Sequence, residues 1–284
     1  MDRAALCRIA LKPESLFGGR SQTIHRTSFA LFLIQFGLAW CNLCAPFSFF
    51  SGRGWPEGLL LVLGAVTTLC GLARQLPTQN VLAVALLIAL MGGVAQSLGA
   101  FTGAPFGPLA CIDRSEPLLF GILPWSIPLI WIVALLTGRG VSRLMFRPWR
   151  QSRVYGFWVL GCTVVLAVLL ELALDMYARQ IKEYGVWKPT GLPVDWYTTA
   201  FVNCLGWAVA AAIILVCVTP FLINKRPAAS DAPDYHPLLV WMLFQTLFVT
   251  ADLKQHLGAA AAVTVAQSFL IAVVAVRGLI CAEL

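Results

Sequence analysis

Eight apolar runs constrain this chain more than any motif it carries. They cover residues 28–50, 57–75, 79–100, 118–138, 154–176, 197–223, 237–253 and 257–279. A helix needs about 20 apolar residues to cross the hydrocarbon core of a bilayer, and most of these runs are close to that length. Only 12% of the 284 residues are charged and 59% are hydrophobic, with no polar stretch long enough for a separate soluble domain. Soluble domains carry about 25% charged residues. The predicted fold is therefore all-α: a polytopic transmembrane helical bundle of eight spans, or seven if the last two runs, parted only around ADLKQH, form one. Residues 1–27 read as a basic cytoplasmic N-terminal segment and 28–284 as a single transmembrane domain of a multi-pass cell-membrane protein.

Lysine and arginine distribution sets the expected orientation. With eight spans and the N-terminus inside, the cytoplasmic side holds all but six of the 20 basic residues. The outer six are Arg53, Arg114, Arg179, Lys182, Lys188 and Lys254. Both termini are then cytoplasmic. The densest element is RGVSRLMFRPWRQSR, which also has the composition of an anionic-lipid-binding segment. The formal net charge of +7 is thus a topology signal. The basic residues are scattered among loops without a recognition motif, so no nucleic-acid partner is expected. Four of the nine cysteines (Cys70, Cys162, Cys204 and Cys217) lie inside apolar runs, where a thiol behaves as a small hydrophobe.

Against this background, VVLAVLLELALDMYARQ is unusual for carrying Glu171 and Asp175 in one helical turn. Residues four apart share a helix face, and Arg179 continues it. Asp175 is expected near the membrane surface, with Glu171 one turn deeper and turned toward the bundle interior, because a lone carboxylate facing lipid is costly. The pair fits acid catalysis, a proton relay in a transporter, or a helix-end anchor, and spacing alone does not separate them.

Two loops, FTGAPFGPLACIDRSEP and ARQIKEYGVWKPTGLPVDW, fall on the outer side, rich in Gly, Pro, Trp and acids. They either cap the bundle or line the mouth of a pocket, with Asp113 and Glu116 near it. Asn203 and Trp207 share a face in AFVNCLGWAVA, and Trp125 stands beside Pro124 and Pro128 as the expected pocket wall. Neither a metal-ligand constellation nor a nucleotide-binding motif is present, so no cofactor and no metal are expected.

The segments FTGAPFGPLACIDRSEPLLFGILPWSIPLIW and ELALDMYARQIKEYGVWKPTGLPVDWYTTAFVNCLGW together resemble the carotenoid biosynthesis membrane proteins typified by carotenoid 1',2'-hydratases and bisanhydrobacterioruberin hydratases. The resemblance implies cofactor-free addition of water to the terminal double bond of a linear carotenoid. It implies Glu171 or Asp175 as proton donor, Asp113 positioning water, Asn203 as an orienting hydrogen bond, and Trp125 and Trp207 as the wall facing a carbocation. Expected partners are a lipid-soluble carotenoid or related isoprenoid, membrane lipids and other carotenoid enzymes. The competing expectations are a proton-coupled membrane transporter and a non-catalytic membrane scaffold.

Overall fold

The computed structural model describes residues 14–45, 55–107, 109–111, 117–181, 185–187, 195–196, 199–223 and 233–280. Among them are eight helices: α1 (Glu14–Cys44), α2 (Trp55–Leu72), α3 (Thr78–Thr102), α4 (Ile127–Met145), α5 (Tyr155–Met176), α6 (Phe201–Leu222), α7 (His236–Lys254) and α8 (Gly258–Ile280). Seven are long and apolar enough to cross a membrane, and the apolar part of α2, Glu57–Leu72, is shorter. The protein is an all-α bundle with the helix content of a multi-pass membrane protein. The last two apolar runs are separate helices, parted by a turn at Gln255–Leu257.

The helices show the two faces that a bundle in lipid requires. On α3, Val81, Val84, Ile88, Gly92 and Gly99 are buried, whereas Leu82, Leu86, Leu90, Val94 and Leu98 are exposed along the opposite side. An outward stripe of leucine and valine costs nothing against acyl chains, and in-helix hydrogen bonds satisfy the backbone. The helix α4 is the centre of the bundle: it packs against α2, α3, α5, α7 and α8, and residues Trp131 to Gly138 are buried without a break.

The fourth span begins later than the apolar run predicts. Residues 118–124 are apolar but fold as a hairpin, strand β2 (Leu118–Leu119) pairing with β3 (Leu123–Pro124). Phe120 and Gly121 at its tip both have positive φ, 53° and 72°. Pro128 falls in the first turn of α4, where its missing N–H leaves no helical bond unmade, so it starts the helix rather than kinking it. The first helix likewise begins at Glu14, ahead of the expected start at residue 28.

The two outer loops meet. Strand β1 (Leu109–Cys111) pairs antiparallel with β4 (Gly185–Trp187), tying the α3–α4 connection to the α5–α6 connection. They therefore lie at the same end of the bundle. At the opposite end, the last carbonyls of α6 are capped by side chains: Asn80 Nδ2 donates to Phe221 O at 3.1 Å and Arg139 Nη2 to Leu222 O at 3.0 Å. These satisfy groups that a helix end leaves orphaned.

Candidate functional site

Where α2, α3, α4, α5, α6 and α7 converge at one end of the bundle, they enclose a partly open cavity of about 190 Å³. Its wall is mostly hydrocarbon and aromatic, with a small polar group concentrated on α5. Glu171 and Asp175 both line it, confirming the shared face read from their spacing. Both are buried, at 7% and 2% exposure. Asp175 is thus as enclosed as Glu171, rather than standing at an exposed water line. Just beyond it, α5 passes into a wide π-helical turn at Tyr177–Ile181, which carries Arg179.

The two acids have different partners. Asn203 Nδ2, one helix away on α6, donates to Glu171 Oε1 at 3.0 Å. Arg179 Nε donates to Asp175 Oδ1 and forms an ion pair one turn along. One carboxyl is held by a neutral amide and the other by a guanidinium. The Trp207 indole lines the same cavity, and its N–H is buried without a hydrogen-bond partner.

The aromatic wall depends on glycines. A Cβ on Gly99 of α3 would come within 2.8 Å of the Phe106 ring, and one on Gly206 of α6 within 2.7 Å of that ring and 2.6 Å of the Pro105 carbonyl oxygen. Only hydrogen at both positions lets the FTGAPFG loop push Phe106 between the two helices, where it is 1% exposed. A Cβ on Gly92 would reach 2.4 Å from the Trp131 indole. Trp131 then stacks on Trp207, and Phe106 stands 6.4 Å from each ring. Phe106 and Trp207 face the cavity, with Trp131 behind Trp207.

The sequence reading placed most of this but not all. Asn203 and Trp207 stand in the site with the two acids, and the Gly–Pro loop lines it through Phe106 and Gly107. Trp125 lies in the turn between β3 and α4. Its neighbours Pro124 and Ser126 line the cavity but its own side chain does not, so the stacked wall is made with Trp131 instead. Asp113 and Glu116 lie outside the described residues.

A third acid was not anticipated. Glu57, in the first turn of α2, lines the cavity and accepts a hydrogen bond from Tyr177 Oη at 3.0 Å. An acid at a helix N-terminus has an ordinary explanation in the helix dipole, so its position in sequence did not mark it out. Gln96 of α3 also reaches the cavity.

Comparison with known proteins gives one match. The family described as carotenoid biosynthesis protein matches residues 57–274, most of the chain and every residue of the site just described. No curated protein and no solved structure matches the chain.

Proposed function

The chain belongs to the carotenoid biosynthesis protein family, and from that premise we propose that it hydrates the terminal double bond of a linear carotenoid by acid catalysis. The observation that carries this reading is the pair of buried carboxyls with unlike partners, Asn203 on Glu171 and Arg179 on Asp175, beside the Trp207 wall. Hydration of an alkene needs a protonated acid and a base in one dry place. Glu171, held by a neutral amide that tolerates either protonation state, is assigned as the proton donor. Asp175, ion-paired with Arg179, is assigned as the base.

The steps balance without any further reactant. Glu171 gives its proton to the less substituted carbon of the terminal alkene, and the π electrons form the new C–H bond. The adjacent carbon, bearing two methyl groups, becomes a tertiary cation facing the rings of Trp207 and Phe106, whose electron-rich faces attract it. Water adds to that carbon, its released proton passes to Asp175, and a tertiary alcohol results. Proton transfer from Asp175 to Glu171 through solvent then resets the pair. Asp113, expected from the resemblance to position the water, keeps that role in this proposal.

The cavity size suits a chain end. A volume of about 190 Å³ is roughly six times the ~30 Å³ share of a liquid water. That accommodates a branched terminus and a water, and leaves the long polyene to lie through the opening.

Expression in a lycopene-producing host, with mass analysis of the pigments, tests the reading. The expected outcome is a product heavier by one water that disappears with Glu171→Gln, a loss of about 10²-fold or more in rate. Undiminished product from both Glu171→Gln and Asp175→Asn, at equal protein level, would overturn it.

A further inference from the structure

At the other end of the bundle a second cavity, of about 110 Å³, is lined by arginine rather than acid. Arg139, Arg143, Arg147 and Arg150 all open onto it, carried on one side of α4 and the turn that follows. The carboxylate among its described lining residues is Asp234, one negative charge against four guanidinium groups. Asp234 is already engaged: it accepts from Gln75 Nε2 at 3.3 Å and pairs with His236 Nδ1 at 2.7 Å. Gln75 in turn accepts from Arg143 Nη1 at 3.0 Å. This network, with Arg139 donating to the Leu222 carbonyl, orients the lining.

A second observation points into the same space. His25 of α1 lines the cavity, is 1% exposed, and neither ring nitrogen has a hydrogen-bond partner. Its ring meets His236 edge-on at 4.5 Å and sits against Gly71, where a Cβ would come within 3.2 Å. A buried imidazole without partners is costly, and a ligand entering the cavity is the natural acceptor or donor for it.

The depth of the cavity identifies the kind of ligand. Beside the arginines, Phe146, Trp149 and Trp158 form an aromatic cluster, with Phe146 and Trp158 rings 5.7 Å apart, and both tryptophans are partly exposed. Exposed tryptophan at a span end marks the headgroup level. There, guanidinium forks match phosphate oxygens in charge and in planar geometry.

We infer that this cavity binds a phosphate mono- or diester group, borne by a lipid headgroup or by a soluble anion. Its volume equals roughly three or four liquid waters, about the size of one phosphate group. The site is independent of the acid cavity and stands whether or not the hydration reading does.

Thermal unfolding of the full chain in nanodiscs tests it. One set of discs is phosphatidylcholine alone and another includes phosphatidylglycerol. Inorganic phosphate and pyrophosphate are titrated into the neutral discs at ionic strength fixed with sodium chloride. The expected result is stabilisation of the wild type by phosphatidylglycerol, by soluble phosphates, or by both. A response confined to phosphatidylglycerol assigns the group to a headgroup, and one confined to soluble phosphate assigns it to a free anion. Arg143→Gln with Arg147→Gln raises the half-saturating concentration about tenfold or more, while Arg153→Gln, exposed and outside the cavity, leaves it unchanged. Should the double variant fail to fold, the wild-type comparison of phosphate against chloride decides alone. An equal effect of chloride, an equal loss in Arg153→Gln, or no response to any probe overturns the site; an adventitious ion only is the reading that an equal chloride effect would support.

Discussion

The indoles of Trp131 and Trp207 stack face to face, their centroids 3.8 Å apart and their planes 11° from parallel. Both rings are essentially inaccessible, at 0% and 1% exposure. One comes from the central helix and the other from the helix carrying Asn203, so the stack fixes the wall of the acid cavity to the middle of the bundle. Trp131→Ala removes that support. It is expected to lower stability by about 3 kcal/mol or more, read from unfolding in detergent, and to reduce product even though Trp131 does not itself line the cavity. Trp131→Phe retains a ring and is expected to recover much of both.

Gly206→Ala tests the seating of the loop. The added methyl meets the Pro105 backbone and the Phe106 ring together, and backbone has nowhere to yield. Displacement of Phe106 is expected, with a cost of about 1–3 kcal/mol and loss of hydrated product. Gly161→Ala, where nothing lies within 4 Å of the new Cβ, is the control and is expected to be silent. Equal behaviour of the two variants would show that the notch is unimportant.

The Glu57–Tyr177 hydrogen bond joins α2 to the wide turn after α5. Tyr177→Phe removes the donor and keeps the ring, which packs on Phe248 at 5.5 Å. A stability loss of about 1 kcal/mol is expected. If the bond holds the turn that carries Arg179, the variant also lowers product yield without changing protein level in the membrane.

Asp234 lies outside the spans and gives a pH signature. Burial pushes its carboxyl up, but hydrogen bonds and charge from His236, with Arg74 nearby, bring it below the ordinary carboxylate value. A depressed carboxylate stabilises the fold above its unfolded pKa, and that contribution fades as pH falls through the folded value. Asp234→Asn is therefore expected to be less stable than wild type at neutral pH. The gap should close below roughly pH 4, as the native carboxyl protonates; a gap that widens on acidification would contradict the assignment.

The helices and the acid pair were legible in the sequence because both rest on local periodicity. A run of apolar residues and an i,i+4 spacing fix what a helix is and which side chains share a face. Asn203 was visible for the same reason, being polar where nearly everything around it is not. The fourth span misled because hydropathy does not distinguish an apolar hairpin from an apolar helix, and 118–124 is the former. That shift also explains why Trp131 rather than Trp125 completes the stacked wall: with the helix starting at Ile127, residue 131 is a full turn inside it. Gly92, Gly99 and Gly206 looked like ordinary membrane-helix glycines, since what a glycine admits depends on a neighbour that sequence does not reveal. Glu57 and the histidine pair His25–His236 meet partners more than a hundred residues away, and no local pattern carries such contacts.

The two cavities occupy opposite ends of the same helices α2, α4 and α7, one holding Glu57, Glu171 and Asp175 with Arg179, the other four arginines with Asp234. Guanidinium groups are thus gathered at one end of the bundle. If that end faces the cytoplasm, an inside-negative voltage holds those cations where they are, at up to about 2.3 kcal/mol per unit charge per 100 mV for full transit. Inversion in the membrane would oppose that force at the arginine cluster, so the cluster would then also act as a lock on which way the protein faces.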